Sequence, residues 1–131
     1  MKSSFQFTNP VLKNLTFNFN DNFNNQENKK VQLGIKLSTQ ITKTPGFDEA
    51  VVELNIEIGE RKANCPFFVN ATEQANFRWS ETMTKSVVDK LLEQNAPSLL
   101  LSYLRPIIVQ VTAASPYGAY NIPFMNFTKE N

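Results

Sequence analysis

The sequence of 131 residues contains no histidine, a single cysteine and only four glycines. Without histidine, the chain lacks the most common general base and the most common nitrogen ligand for metal ions. One cysteine cannot form an intrachain disulfide or a thiolate metal cage. The glycines, at positions 34, 46, 59 and 118, are too far apart to form a phosphate-binding loop. These absences argue against an enzyme, and we expect no cofactor and no metal.

Charge is sparse and balanced. Thirteen Lys and Arg residues against twelve Asp and Glu residues leave a formal net charge of +1, and neither sign forms a long block. A phosphate backbone or an anionic bilayer selects a basic patch, so neither nucleic acid nor membrane is an expected partner. No apolar run approaches the roughly 20 residues of a membrane span, and the N-terminus shows no secretory signal. The sequence predicts a cytoplasmic protein with one domain over residues 1–131.

Apolar residues alternate with polar ones through the first part of the chain. A period of two is typical of strands that bury one face. The predicted strands cover residues 5–19 with a break at Asn9–Pro10, 30–42, 50–58 and about 63–70, the last prolonged by Phe77 and Trp79 after an irregular 72–76. The connections are too short for crossover helices, so the four strands should form an antiparallel sheet. The Asn-rich residues 18–28 predict a long loop between the first two strands.

Helical spacing replaces alternation after residue 80. Residues 81–94 carry apolar side chains at helical intervals, and Asn95 should end this first helix. Pro97 suits the first turn of a second helix, which should run to residue 114 and kink at Pro106, with two shorter helices as the alternative. The second helix is apolar over more than one stripe, so we expect it to contact another subunit as well as the sheet. The predicted fold is α+β, a four-stranded antiparallel sheet packed by two C-terminal helices.

The order of these elements and two sequence segments resemble the SecB family of protein-export chaperones. Residues 97–105, Pro-Ser-Leu-Leu-Leu-Ser-Tyr-Leu-Arg, are similar to the helix-opening Pro-x-x-Leu-x-x-Tyr-x-Arg of that family. Residues 121–127 are similar to its closing Pro-x-Asn-Phe pattern. A weaker likeness covers residues 5–19, 49–58 and 63–77. No segment is catalytic, and their order and spacing together carry the resemblance.

The resemblance implies a homotetramer, a dimer of dimers, that holds unfolded polypeptide in aromatic grooves without ATP. Hydrophobic burial and strand-like pairing would bind an extended client. The candidate client-binding residues are Phe23, Leu33, Ile35, Leu37, Phe47, Tyr120, Ile122, Phe124, Met125 and Phe127. The candidate residues of the oligomer interface are Leu100, Tyr103, Leu104, Arg105, Ile107, Ile108 and Val111. For each client-binding candidate, ordinary core packing is the alternative interpretation, and it is favoured at the strand positions. Phe124 and Met125 are the better candidates, because a tail bent by Pro116 and Pro123 cannot easily bury every apolar side chain.

The sequence departs from the family where the translocase motor would dock. The acidic residues of the family's exposed sheet face correspond here to Asn14, Asn18 and Asn70, which are neutral. The acidic C-terminal tail of the family is also not found in residues 128–131. Complementary charge guides such docking, so these differences argue against delivery to the motor. A dedicated client, such as a labile antitoxin or a particular secreted protein, stays open.

Two other classes of function compete with a chaperone. The first is a protein-interaction subunit whose apolar helix and tail dock one folded partner. The second is a small-molecule enzyme, which would need convergent polar groups in a pocket. Its only candidates are carboxylates such as Glu53 and Glu57, which fall on the wet face of a strand. There we expect them to pair with Lys36 instead.

Overall fold

A computed structural model describes residues 3–23 and 31–128. Its strands are β1 (Phe5–Phe7), β2 (Val11–Phe19), β3 (Ile35–Lys43), β4 (Glu49–Gly59) and β5 (Phe67–Trp79). A helical run follows, composed of α1 (Lys85–Lys90), a π-helical segment (Leu91–Asn95) and α2 (Ala96–Ala113). Residues 24–28 of the Asn-rich loop predicted over 18–28 lie outside the described residues, and residues 18 and 19 belong to β2 instead. The α+β class with an antiparallel sheet and a C-terminal helix is confirmed.

The sheet has five strands, not the four that the sequence predicts. β5 pairs with β4 on one side and with both β1 and β2 on the other, while β3 pairs with β4, and every pairing is antiparallel. β1 and β2 lie one after the other along β5, so they are the two parts of the strand predicted over residues 5–19. The break contains Pro10, which has no backbone N–H for a ladder hydrogen bond.

Two further strand predictions are corrected by the structure. β3 begins at Ile35 rather than near residue 30, and β5 begins at Phe67 rather than near Ala63. The irregular stretch predicted at residues 72–76 is wrong, because β5 continues without interruption to Trp79. β5 is paired with a strand on each side, so its backbone N–H and C=O groups are hydrogen-bonded even at positions with polar side chains. Tertiary pairing thus overrides the weak local strand signal there.

The helices form one long run rather than two separate helices. α1 begins at Lys85 instead of residue 81, where the Thr84 hydroxyl accepts a hydrogen bond from the Val87 amide at 3.4 Å. Asn95 does not end the helical run, because the π-helical segment passes directly into α2. Pro106 lies inside α2, which continues to Ala113, so the alternative of two shorter helices is also wrong.

Regular packing against the sheet explains how the helical run tolerates Pro106. Buried residues recur every fourth position along it: Leu92, Ala96, Leu100, Leu104, Ile108 and Thr112. Residues four apart lie on one face of a helix, so this series forms a continuous stripe over the strands. Each large apolar side chain buried in this way contributes about 1.5–3 kcal/mol, and together they offset the roughly 3 kcal/mol cost of an interior proline.

The core lies between this stripe and one face of β4 and β5. Val52, Leu54, Ile56 and Ile58 alternate with partly exposed residues along β4 and are fully buried. Their partners on β5 include Val69, opposite Ile58, and the alternation continues through Phe67 and Phe77. The opposite face of the sheet carries no helix in the described part of the chain. The sheet therefore has one covered apolar face and one open face.

The turn between β4 and β5 is fixed by a glycine and by the single cysteine. Gly59 has φ +75°, and a Cβ there would lie 2.1 Å from the Phe67 carbonyl oxygen, so other residues are excluded. Cys65 is buried, and its Sγ accepts a hydrogen bond from the Glu60 amide at 3.3 Å and donates one to the Phe67 carbonyl at 3.4 Å. The thiol is part of the turn, as a buried structural cysteine should be.

Candidate functional site

Residues 117–128, here called the tail, leave α2 through a tight turn. The Ser115 hydroxyl donates to the Thr112 carbonyl at 2.7 Å and accepts from the Tyr117 amide at 3.2 Å. Gly118 follows with φ +84°, a conformation that side chains other than glycine rarely adopt. The turn reverses the chain, so the tail runs back along α2 instead of continuing away from it.

Tyr117 anchors the start of the tail to the end of β2. Its hydroxyl donates a hydrogen bond to the Asn20 carbonyl. The rings of Phe19 and Phe23 contact it edge-on, with centroids 6.4 and 5.5 Å away. Edge-to-face pairs of this kind add about 0.5–1.5 kcal/mol each beyond their buried area. Sequence analysis missed this anchor because its partners lie almost a hundred positions apart.

Two side chains on one face of α2 bind the tail backbone. The Thr112 hydroxyl accepts a hydrogen bond from the Tyr120 amide at 2.8 Å. The Arg105 guanidinium donates to the Ile122 carbonyl and, at 3.0 Å, to the Pro123 carbonyl. Thr112 and Arg105 are seven residues apart, which is close to two helical turns, so they face the same way. The tail therefore follows α2 in an extended path, antiparallel to the helix.

The tail side chains divide into inward and outward groups. Ile122 is 5% exposed and belongs to the core, and Met125 and Phe127 are half-buried against it. Phe124 is 91% exposed. A phenylalanine so placed loses nearly all the burial that its side chain could contribute, on the order of 2–3 kcal/mol. Its exposure is the largest among the exposed large hydrophobic residues of the described chain.

The end of the tail lies in a groove between β3 and the π-helical segment, here called the tail groove. Leu37, Thr39 and Ile41 of β3 form one wall, and Glu93 and Gln94 form the other. Asn126 and Phe127 of the tail line the same cavity of about 420 Å³. Its apolar wall is the helix-facing side of an edge strand, which has a neighbour on one side only among the described strands.

Exposed apolar residues also gather at the opposite edge of the sheet, in what we call the edge patch. It consists of Phe7 on β1, Leu12 on β2 and Tyr103 on α2, on the covered side of this edge, with Val11 of β2 on the open side opposite Gln74; each is 40–50% exposed. The rings of Phe7 and Tyr103 contact each other edge-on, with centroids 6.5 Å apart. Sequence analysis did not select the three strand residues. The alternation at Phe5 and Phe7 was visible, but nothing local shows that the strand forms an uncovered edge.

The open face of the sheet carries a network of amide hydrogen bonds. Asn70 on β5 accepts from Asn14 and from Asn55, both at 3.1 Å, and donates to a Glu57 carboxylate oxygen at 3.2 Å. Asn55 also donates to the Thr72 hydroxyl at 2.8 Å. Asn14 and Asn70, two of the three positions where the resemblance implies acidic residues, are thus engaged here as neutral amides.

The carboxylates of this face take structural roles that differ from the prediction. Glu53 forms an ion pair with Lys13 at 3.1 Å, and Glu57 accepts the hydrogen bond from Asn70. In the register of β3 and β4, Lys36 lies opposite Glu57. Glu53 forms its ion pair with Lys13 of β2, on the other side of β5, and not with Lys36. The Lys13 side chain reaches across β5 to Glu53 from the point where the register of β2 shifts, between Leu12 and Asn14. Glu53 also lines an open cavity of about 410 Å³, together with the polar residues Ser38, Thr39, Gln40, Asn55 and Thr72.

Glu73 is the exception on the covered face of the sheet. It lies on β5 between Leu54 of β4 and Leu12 of β2, and it is 3% exposed. Its Oε1 has no hydrogen-bond partner in the described part of the chain. Burial raises the pKa of its carboxyl, because an ionised group loses its hydration there. Nothing in the sequence singled out this residue, since glutamate at a strand position is normally solvent-facing.

The candidate client-binding residues fall in four places. Leu33, Ile35 and Leu37 are half-buried against the core, Leu37 in the tail groove. Phe23 is near Tyr117 and Tyr120 at a second cavity, of about 300 Å³. Phe47 is 70% exposed at the turn between β3 and β4. The remaining candidates belong to the tail: Tyr120, Ile122, Phe124, Met125 and Phe127.

The candidate interface residues divide between the core and the surface. Leu100, Leu104 and Ile108 are fully buried in the chain's own core. Tyr103 is exposed in the edge patch, and Arg105 binds the tail. Ile107 and Val111 are partly exposed on α2. The structure thus leaves only part of the predicted interface accessible to a second subunit.

Neither a metal centre nor a membrane helix is found within residues 3–23 and 31–128. No group of three or more His, Cys, Asp or Glu side chains there is placed to hold an ion. No helix in that part of the chain combines the length and apolar character needed to cross a bilayer.

Comparison with solved structures identifies similar folds. A SecB-like chaperone of Mycobacterium tuberculosis, solved in complex with a ChAD peptide from an antitoxin, matches with a TM-score of 0.72 at 11% identity, covering 92% of this chain and 90% of that one. A protein of unknown function from Streptococcus agalactiae matches with a TM-score of 0.50 at 10% identity, covering 92% and 97%. A search of curated protein sequences finds no match. At these identities, the structures establish similarity of fold.

The family itself is shown by the sequence. The family model described as preprotein translocase subunit SecB matches residues 2–129, nearly the whole chain. The match includes both resembling segments, the helix opening at Pro97 and the tail. The predicted relationship is confirmed: this chain belongs to the SecB family.

Proposed function

We propose that this SecB-family chain is an ATP-independent chaperone that holds non-native polypeptides in extended form. The observation that carries the proposal is the exposed Phe124, held on an extended tail beside a partly filled apolar groove. A free phenylalanine ring offers an unfolded client apolar area to bury, at about 25 cal/mol per Å². No nucleotide is needed, because hydrophobic burial alone favours capture of an unfolded chain.

A segment of one specific protein is the kind of client that the comparisons favour. The similar SecB-like chaperone of M. tuberculosis was solved with a peptide from an antitoxin. We therefore propose a client recognised through an exposed extended segment, with an antitoxin or a secreted protein as the leading classes. Phe47, exposed at the turn between β3 and β4, provides a second aromatic contact for such a segment.

The test is suppression of client aggregation without nucleotide. A denatured client diluted into buffer should stay soluble with an equimolar amount of the protein, and ATP should have no effect. Phe124→Ser should weaken capture several-fold while leaving the thermal midpoint nearly unchanged, since the ring is 91% exposed. A large loss of stability would instead assign Phe124 to the packed structure.

A competing function, docking of one folded partner, makes the opposite prediction. Folded and unfolded forms of several unrelated proteins should be compared in the same assay. A chaperone captures the unfolded forms of more than one protein and ignores the folded forms. Saturable binding to a single folded protein, with no effect on unfolded ones, would replace the chaperone proposal.

We also propose self-association through the edge patch and the accessible face of α2. Phe7 and Tyr103, which contact each other, and Leu12 on the same side of the sheet edge expose apolar area that a second copy would bury, and Ile107 and Val111 follow Tyr103 at helical spacing on α2. Light scattering at micromolar concentration should give twice or four times the chain mass of 14.9 kDa. Leu12→Glu should shift the mass toward the monomer with an unchanged far-UV spectrum. A monomeric mass for the unaltered protein at high concentration would remove this proposal.

The SecB family is non-enzymatic in general, and we propose that this chain is no exception. The single chaperone unit over residues 1–131 would act in the cytoplasm, where unfolded export clients and antitoxins are made. We propose only weak contact with a translocase motor, because the amides of Asn14 and Asn70 occupy the open face where the family carries acids.

A further inference from the structure

The tail is bound to the rest of the chain in the manner of a peptide ligand. Among the described residues, no backbone-to-backbone hydrogen bond joins residues 119–128 to a strand or helix. The tail backbone is instead bound by the side chains of Thr112 and Arg105. The strands are joined by repeated backbone hydrogen bonds, whereas the backbone of residues 119–128 has only these two side-chain contacts and the tail is otherwise held by the packing of Ile122, Met125 and Phe127. Such a segment can leave its groove without disrupting the sheet.

Arg105 is suited to bind any extended backbone at this position. Its two terminal nitrogens reach two consecutive carbonyls, Ile122 and Pro123, in a forked geometry. Every polypeptide has backbone carbonyls, so a contact with two of them does not depend on the side chains of the bound segment. The same fork can therefore accept the backbone of another chain that follows the path of the tail.

The side chains of the tail indicate what the groove accepts. Residues 117–128 contain no charged side chain, and their inward-facing members are Ile122, Met125 and Phe127. Glu93 lines the tail groove on one side, and it would repel an acidic segment. The apolar wall of Leu37 and Ile41 requires an apolar side chain opposite it.

We propose that the tail is a displaceable internal occupant of the tail groove, and that the groove binds client segments of the same chemistry. The occupant it receives is an extended, uncharged segment with aliphatic or aromatic side chains separated by small or amide residues. The tail then competes with clients for the groove. A client segment binds only when its own contacts with the groove offset the release of the tail. This inference rests on the proposed chaperone function and names the class of client segment.

Two phenylalanines three positions apart allow a test with opposite signs. Phe127 lies in the groove and Phe124 points away from it. Phe127→Ser should loosen the tail, so a labelled synthetic peptide with the sequence of residues 117–128 should bind the variant at least about tenfold more tightly than the unaltered protein. Phe124→Ser keeps the tail in its groove, so the peptide should gain no affinity, while capture of an unfolded client weakens.

Hydrogen exchange of the tail measures its release directly. Exchange at the Tyr120 amide, which donates to the Thr112 hydroxyl, should speed up at least about threefold in Phe127→Ser and remain unchanged in Phe124→Ser. Arg105→Gln, which removes the fork but no core side chain, should also speed it up and provides a second variant if Phe127→Ser folds poorly. A peptide with aspartate at the position of Phe127 should not bind any of these proteins.

Three results would overturn the inference. Faster tail exchange with no gain in peptide affinity would show that the groove does not receive such segments. A lower thermal midpoint with unchanged tail exchange in both variants would make the tail a fixed part of the fold. Tail protection that increases with protein concentration would assign the groove to the tail of a second copy. If aggregation is suppressed but the peptide never binds, the inference fails and the chaperone proposal stands. If the peptide binds but aggregation is not suppressed, the groove receives such segments and the chaperone proposal fails.

Discussion

The two faces of the sheet are built from the same strands but differ in the interactions that their side chains make. On the covered face, Val52, Leu54 and Ile56 of β4 are fully buried under the helical run. On the open face, the intervening residue Asn55 is hydrogen-bonded to Asn70 and Thr72. The covered face stabilises the fold by excluding water, and the open face by pairing polar groups that water could equally satisfy. Substitutions should therefore have large effects on one face and small effects on the other.

The largest expected difference is between two adjacent residues of β4. Leu54→Ala should lower the free energy of unfolding by about 2–5 kcal/mol, because it leaves a cavity under the helices. Asn55→Ala should lower it by about 1 kcal/mol or less, since water replaces its lost partners. Urea denaturation of both variants gives the two values. Equal losses would show that the open face is covered in solution and would undo the comparison.

Glu73 is a polar residue on the mostly apolar covered face. Its replacement by an apolar residue should increase the difference in stability between the two faces. An unpaired buried polar group costs about 1–3 kcal/mol, so Glu73→Met should raise the free energy of unfolding by about that amount at neutral pH. If another subunit supplies a partner for Oε1, the same change will destabilise the protein instead. Denaturation below and above the association concentration separates these outcomes.

The pH dependence of this effect has a definite sign. Burial raises the pKa of Glu73 above its ordinary value of about 4.5, so the folded state keeps the proton to a higher pH than the unfolded state does. The stability from this group is fully present below pH 4.5 and is lost as pH rises through the raised pKa. The decline should be absent in Glu73→Met. An identical pH profile in both proteins would show that the carboxyl does not titrate between the two states.

The smallest expected effect concerns the charge of the open face. Binding to a SecB-type translocase motor should be at least roughly tenfold weaker than that of an acidic homologue, a difference of about 1.4 kcal/mol. Changing Asn14, Asn18 and Asn70 to Asp should restore part of it, and the gain should fade in high salt. Calorimetric titration of both proteins against the motor measures this. Tight binding by the unaltered protein would show that docking does not use this face.

Sequence patterns predicted the elements whose causes are local. The alternation from Ala50 to Ile58 identified the buried side of β4, and Pro10 marked the break between β1 and β2. The pattern failed where distant partners decide the outcome. Asn95 was expected to end a helix, but the stripe that includes Leu92 and Leu100 packs on the sheet and holds the helical run together. Strand pairing on both sides likewise kept β5 continuous through its polar residues.

The candidate site shows the same division. Composition alone identified an aromatic, uncharged tail and the lack of catalytic histidine, and the segment from Pro97 to Arg105 pointed to the family. The prolines of the tail favoured exposure of both Phe124 and Met125, but only Phe124 is exposed and Met125 is half-buried against the core. Their exposure differs because Arg105 holds the tail backbone in one orientation along α2.

What the sequence determined by itself is the set of properties that depend on nearby residues: which strand positions share a face, where turns fall, which chemistry is excluded and which family the chain resembles. Only the tertiary structure decided the path of the tail, the burial of Glu73 and the position of the edge patch. These depend on contacts such as Tyr117 with Asn20, between residues far apart in the chain. Periodicity reports which side of an element is apolar, whereas the assembled fold decides what covers that side and what it leaves exposed.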